Sequence, residues 1–191
     1  TEFGITEKEI QISGQPGLIK YFNLNSNTLL KESIKQQITE ENAGKIITFE
    51  TFLLNNTGSN MNNIRIVGKL PTTGNIVKDQ TENTLETTLT NIYAENAVIY
   101  YTENTNATTD TEDPTNGWTT DLATLTNAKL YLIKLETLKQ GDSYVATVKV
   151  KIPRILEEGL NSYTEYKVIY DTENAINIEE TSKDIQLSTG L

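Results

Sequence analysis

The 191-residue chain contains no cysteine and no histidine. Without thiolate and imidazole, zinc, haem and iron–sulfur chemistry lose their usual ligands, and Cys–His or Ser–His catalysis loses its nucleophile or base. The missing cysteines also exclude a small disulfide-stapled scaffold, and they suit a secreted bacterial protein that relies on no disulfide. Positive charge is scarce: 16 Lys and Arg stand against 26 Asp and Glu, a net charge of −10, and the pI is about 4.6. A nucleic-acid partner would need a basic stripe to neutralise phosphates, so that class is disfavoured, as is docking on anionic lipid. The plain use of such acidity is solubility. No run approaches the ~20 apolar residues of a membrane span, so no membrane insertion is expected. No signal peptide is visible, and a start at Thr1 reads as an excised or processed segment. Apolar residues are few as well, at 36%, below the roughly 45–50% (Gly counted) of average proteins.

What the chain has instead is Thr and Asn. Threonine suits the half-wet face of a strand, and asparagine suits turns, where its side chain bonds nearby backbone and tolerates left-handed geometry. Few apolar residues among many strand formers predict thin two-layer packing. The stretch Gly44–Asn75 holds two strand-like runs, Ile46–Leu54 and Ile64–Val67, joined by Asn, Gly and Ser and closed by Leu70-Pro71. The punctuation predicts a β-hairpin. Ser143–Ile152 gives the clearest alternation, with Tyr144, Ala146, Val148, Val150 and Ile152 on one face and Lys149 and Lys151 on the other. Further strands are expected at Leu18–Leu24, Glu82–Leu89, Ala97–Tyr101, Ala128–Leu135, Tyr163–Tyr170 and Ile176–Leu187, and at Leu29–Ile38, where Leu30, Ile34 and Ile38 also fit a short amphipathic helix. One helical turn is expected at Arg154–Glu158. Thr1–Ile12 reads as an edge strand or connector. Roughly nine to eleven strands with no crossover helices predict an all-β fold, an antiparallel immunoglobulin-like β-sandwich with long polar loops. Residues 1–28 read as N-terminal strands or a connector, and 29–191 as the sandwich, with a single domain 1–191 as the alternative.

The order Gly-x-x-Ile-Thr-Phe, Asn-Asn-Thr-Gly, then Asn-Ile-Arg-Ile-Val-Gly-Lys-Leu-Pro-Thr-Thr-Gly-Asn resembles the immunoglobulin-like surface repeats called domain of unknown function eleven. The segments Tyr100–Asn104, Asn116–Trp118 and Gly141–Ser143 are similar to clostridial-type versions. The resemblance spans roughly Leu29–Thr189. It implies a module found in tandem in wall-associated or secreted proteins of Gram-positive bacteria and in archaeal surface proteins. One position departs from the pattern: Thr164-Glu165 stands where such repeats commonly carry Asn near the start of the penultimate strand.

Four groups of residues could carry chemistry. Asp110, Glu112, Asp113 and Asn116 fall within seven positions of the polar loop Glu103–Asp121. Their oxygens suit a hard cation such as calcium, although the EF-hand pattern is absent; a solvated loop with an Asx-turn before Pro114 is the favoured alternative. Related stalk modules carry intramolecular isopeptide bonds, which need a desolvated Lys beside a carboxamide and a proton-shuttling acid. Lys31 and Lys35 are the amine candidates and Asn161 and Asn174 the partners, against ordinary surface lysines. Trp118 reads as a plug under the long loop or as a ligand contact. Glu50, Glu86, Asp171 and Glu173 could supply carboxylate pairs for hydrolysis, but spacing alone argues for none. Asn55-Asn56-Thr57 and Asn106-Ala107-Thr108 match the glycosylation pattern, as chance allows in an Asn- and Thr-rich chain.

These readings converge on a non-enzymatic, extracellular structural module without a cofactor, unless calcium. Its partners would be neighbouring repeats of the same polypeptide. The alternatives are a binding module for a glycan, host or cell-wall ligand, and a self-assembling surface-layer or fibre subunit.

Overall fold

The computed structural model describes residues 18–24, 34–77, 81–182 and 184–191, the side chains of 18–24 and 34 excepted. Eleven strands follow in order: β1 (Leu18–Leu24), β2 (Ile34–Ile38), β3 (Ile46–Leu54), β4 (Met61–Lys69), β5 (Thr88–Tyr93), β6 (Val98–Thr102), β7 (Leu130–Leu138), β8 (Ser143–Lys151), β9 (Asn161–Asp171), β10 (Ile178–Thr181) and β11 (Ile185–Thr189). The helical content of the described residues is confined to three-residue 3-10 turns at Glu40–Asn42, Pro114–Asn116 and Leu122–Thr124. The strands form two sheets, ordered β1-β3-β8-β5 and β2-β11-β9-β4-β7-β6, with β10 on the free part of β9. The chain is an all-β sandwich, as its alternation of apolar and polar residues requires.

Where each run sits follows from its pattern. Ala146, Val148, Val150 and Ile152 are fully buried while Lys149 and Lys151 face solvent, so the alternation in β8 points one row into the core. From the other strands Ile47, Phe49, Leu53, Ile64, Ile66, Ile133 and Val168 join the same cluster. Each such side chain contributes roughly 1.5–3 kcal/mol on leaving water. Asn83, Leu85, Thr87 and Leu89 also alternate inward, yet ladder pairing starts only at Thr88, because residues 83–87 are bonded to the start of β9 and to Pro71. Asn83 Nδ2 donates to the Tyr163 carbonyl, Leu85 N–H to Ser162 Oγ, and Thr87 Oγ1 to the Pro71 carbonyl. The strand expected at Glu82–Leu89 is therefore displaced to Thr88–Tyr93. The helical turn expected at Arg154–Glu158 is a pair of bends. The strand expected over Ile176–Leu187 is two, Ile178–Thr181 and Ile185–Thr189. Thr1–Ile12 lies outside the described residues.

The expected hairpin of Ile46–Leu54 with Ile64–Val67 does not form. β3 pairs with β8 in one sheet, while β4 pairs with β7 and β9 in the other. The loop 55–60 is an arch that crosses from sheet to sheet. Beside it, the turn Lys139–Asp142 carries β7 across to β8. Asn55, fully buried, ties the two arches together. Its Nδ2 donates to the carbonyls of Ser59 and Leu138, both at 2.8 Å, and its Oδ1 accepts from Thr57 N–H and Oγ1. Its backbone N–H donates to the Asp142 carbonyl and its carbonyl accepts from Gly141 N–H. A carbohydrate on Asn55 would take one of the two Nδ2 hydrogens that hold Ser59 and Leu138, inside a fully buried site.

Pairing is not antiparallel throughout. β1 runs parallel to β3, and β2 parallel to β11 over five rungs from Ile34↔Ile185 to Ile38↔Thr189. β1, the strand expected at Leu18–Leu24, is thus part of the smaller sheet.

Between the sheets the packing is closed by tyrosines. The fully buried Tyr166 donates its hydroxyl to the Phe52 carbonyl at 2.6 Å, and Tyr131 shares a 2.8 Å bond with Thr51 Oγ1. Burial pushes both phenols well above their ordinary range, against the smaller opposing effect of those bonds. Gly68, on β4 directly opposite Tyr131, leaves room for that ring. A Cβ at Gly68 would lie 2.0 Å from it.

Candidate functional site

The loop between β6 and β7 folds on itself through its own Asn and Asp side chains. Asp110 Oδ1 accepts from Glu112 N–H at 2.9 Å, and Asp113 Oδ1 accepts from the backbone and hydroxyl of Thr115. Asn116 is buried; its Oδ1 accepts from Thr108 N–H, and its Nδ2 donates to Thr108 Oγ1 and to the Asp110 carbonyl. The Thr115 hydroxyl and N–H hold the Asp113 carboxyl below its usual range. One side-chain oxygen each of Asp110, Asp113 and Asn116 is thus engaged within the loop, and among the described residues no three acidic groups gather as a metal site. Trp118 is half-buried and belongs to the same loop: its indole N–H donates to the Thr108 carbonyl at 2.7 Å. Next to it, Thr119 exchanges two backbone bonds with Tyr101 on the edge of β6. Trp118 braces the loop and does not join the buried core.

The isopeptide candidates divide. Lys31 lies outside the described residues. Lys35, on β2, is opposite Gln186 in register, and the Gln186 amide donates to Asn161 Oδ1 at 2.7 Å. Strand pairing therefore brings Lys35 and Asn161 to the same patch, which sequence order alone would not suggest. Lys35 is exposed, however, and lacks the burial that such a bond requires of its amine. Asn174 is exposed in the turn between β9 and β10, away from both.

The carboxylates considered for hydrolysis are kept apart. Glu86 meets Lys129 at 3.7 Å, just before β7, and accepts from Asn127 Nδ2 and Thr73. Burial opposes its ionisation, but the bonds from Thr73 and Asn127, with Lys129, hold its carboxyl below the usual range. Asp171 sits at the opposite end of β4. There it accepts from Asn177 N–H at 2.8 Å, from Asn63 Nδ2 and from Arg65 at 3.4 Å, which keep it ionised to lower pH. Glu50 lies on β3 and Glu173 in the turn after β9.

One feature has no counterpart among the residues that spacing singled out. At the end of the sandwich where the arches cross, an open cleft of about 460 Å³ is lined by Glu95, Asn96, Leu135, Glu136, Thr137 and Tyr144. The segment 94–97 forms one wall as it passes from β5 to β6, and the C-terminal half of β7 forms the other. Tyr144 donates its hydroxyl to the Glu95 carbonyl at 2.6 Å. Burial, with Glu95 and Tyr93 nearby, pushes its phenol up to about 12. Asn96 turns the chain in left-handed geometry, φ 57°. Tyr93 is 60% exposed and Val98 50%. The available sequence signal was Tyr93-Ala94-Glu95-Asn96, an aromatic followed by a polar turn.

No protein-family model matches the sequence, and no curated protein matches it. Among solved structures, a family 123 glycoside hydrolase from Clostridium perfringens is 13% identical with a TM-score of 0.41, over 82% of this chain and 23% of that one. A putative membrane-anchored protein of Corynebacterium diphtheriae is 12% identical at 0.40, over 82% and 32%. AggA, the major subunit of aggregative adherence fimbriae type I of Escherichia coli, is 13% identical at 0.37, over 83% and 91%. The chain thus spans about a quarter to a third of the length of the first two. Likeness this distant carries no functional argument.

Proposed function

We propose that the chain is a non-enzymatic structural module of a bacterial cell-surface or secreted multidomain protein, a link in a stalk or adhesin of the repeat type its sequence resembles. The observation that supports this reading is the parallel pairing of β2 with β11. Once β1 has been drawn off β3, tension entering at Ile34 and leaving at Thr189 acts on opposite ends of the pair. The five rungs then bear load together in shear, whereas an antiparallel pair loaded at one end opens rung by rung. The exit is tied further: Gly190 N–H donates to the Ile38 carbonyl at 2.9 Å, Leu160 N–H to Thr189 Oγ1, and Thr189 Oγ1 to the Glu157 carbonyl at 2.6 Å. Ile38, Ile185 and Leu187 anchor both strands in the core. Net charge −10 and the absence of His and Cys suit an exposed passive link.

Force spectroscopy on tandem copies of the module tests the reading. Gln36→Pro and Gln37→Pro are compared, because neighbouring N–H groups on a strand point to opposite sides and only one of the two faces β11. One variant should unfold at markedly lower force and the other near the parent value. Equal, low forces for parent and variants would remove the argument from shear. A stalk link also stays monomeric; a mass that rises with concentration in light scattering would favour the fibre-subunit alternative.

A further inference from the structure

We infer that the cleft beside the end of β7 is a vacant strand position, which takes an extended peptide carrying a basic residue between two apolar ones. This site is separate from the β2–β11 pair on which the mechanical reading rests. Two neighbouring strands of the larger sheet differ in length. β7 runs to Leu138, but its ladder with β6 stops at Val98↔Lys134. The same antiparallel register would set Asn96 opposite Glu136; instead Asn96 takes φ 57° and the segment 94–97 turns out of the sheet. Among the described residues no other strand continues β6 past that point. The open cleft of about 460 Å³, lined by Asn96 and Glu136 among others, lies in the place so vacated.

Backbone alternation along the two strands defines what that position offers. Tyr101 exchanges both its backbone bonds with Thr119, on the side of β6 away from β7. Val98, Tyr100 and Thr102 are therefore the residues that bond across to β7, at Lys134, Leu132 and Leu130. Two residues further along β7, the N–H and C=O of Glu136 point the same way, into the cleft. An added strand pairs one residue with both groups, the mode by which an exposed sheet edge captures a peptide. Residues directly opposite share a face of the sheet. The exposed Glu136 side chain lies on the outer face, so the central peptide side chain lies there too. Its two neighbours turn inward, towards Leu135 and Tyr144, which pack on the core. Tyr144 is held by its bond to the Glu95 carbonyl, so that wall is fixed before a peptide arrives. Glu95 and Glu136 are the charged residues of the lining, and no cation stands among them. A lysine or arginine at the centre thus meets carboxylates, and an acidic residue is repelled.

The test is a heteronuclear NMR titration of the folded protein with the end-capped peptide Thr-Val-Lys-Val-Thr, carried to millimolar concentration. Saturable shifts should appear at residues 95–98, 134–138 and 144. Methylating the lysine amide nitrogen should abolish them, because that N–H donates to the Glu136 carbonyl. Methylating a valine amide, whose N–H faces away from β7, should weaken binding far less. Exchanging the peptide lysine for glutamate should weaken it about fivefold or more at low ionic strength, and Glu136→Gln should narrow that difference. Absence of saturable shifts overturns the proposal, as do shifts mapping elsewhere. Binding indifferent to lysine N-methylation removes strand pairing and overturns it too. So does a glutamate peptide that binds as well as the lysine one. Shifts at the same residues on diluting the protein alone would assign the edge to a second copy of the chain, and would likewise overturn it. The force measurements are independent of each of these outcomes.

Discussion

Replacing Gly68 with alanine adds a single methyl group, yet it should be among the most damaging small changes available. The new Cβ would stand 2.0 Å from Cε2 and Cζ of Tyr131 and 2.4 Å from its hydroxyl. Tyr131 cannot swing away cheaply. It is fully buried between the sheets, and its hydroxyl is held by Thr51 on the opposing sheet. Overpacking costs about 1–3 kcal/mol and occasionally more; with a pinned ring, about 3 kcal/mol or more is expected. Tyr131→Ala alone should cost about 3–5 kcal/mol through the cavity it leaves. In the double variant the clash has gone, and alanine is a better strand residue than glycine. Gly68→Ala should then be neutral or slightly stabilising in the Tyr131→Ala background, giving a coupling near 3 kcal/mol. Urea unfolding with linear extrapolation measures all four corners of the cycle, provided the variants unfold in one transition. Additive effects, with a coupling under about 0.5 kcal/mol, would refute the claim that Gly68 exists to admit Tyr131.

Asn55→Ala should lower stability by about 2–4 kcal/mol, because it takes a partner from the buried Leu138 carbonyl, from the part-buried Ser59 carbonyl and from Thr57; hydrogen exchange should show both arches opening together. Alkaline pH should destabilise the fold through Tyr131 and Tyr166. Their folded pKa values are raised, so their contribution is complete below about pH 10 and is lost above it, at up to about 1.4 kcal/mol per pH unit for each group. Tyr131→Phe should flatten that slope in chemical denaturation between pH 10 and 11.5, and an unchanged slope would contradict the assignment. In the loop 110–116, where Asp110, Asp113 and Asn116 each commit a side-chain oxygen to the loop itself, melting midpoints in millimolar calcium and in excess chelator should agree within about 1 °C; a rise well beyond that would reinstate a cation site.

Sequence periodicity reached the strands because burial imposes it locally. The alternation in Ser143–Ile152 and the apolar rows of Ile46–Leu54 and Ala128–Leu135 each state which face turns inward, and the structure agrees. The same logic located Leu85, Thr87 and Leu89 on an inward face but overextended the strand, since alternation reports burial and not the presence of a pairing partner. Turn chemistry was legible too: the Asp113–Pro114 Asx-turn reads directly from residue types. The cleft was not legible, because its two walls are about forty residues apart.

The sequence by itself therefore determined the class of fold, the inward faces, and the exclusion of thiol and imidazole chemistry, all of which depend on residue type and near-neighbour spacing. Only the tertiary structure decided which strands pair. An Asn/Gly/Ser loop after Leu54 serves a hairpin or an arch equally well; the choice fell to the arch because buried Asn55 finds its partners at Leu138 and Asp142, more than eighty residues onward. The same holds for β2 beside β11 and for Lys35 near Asn161. Long-range pairing is settled by which faces can be buried together, and no local pattern encodes that.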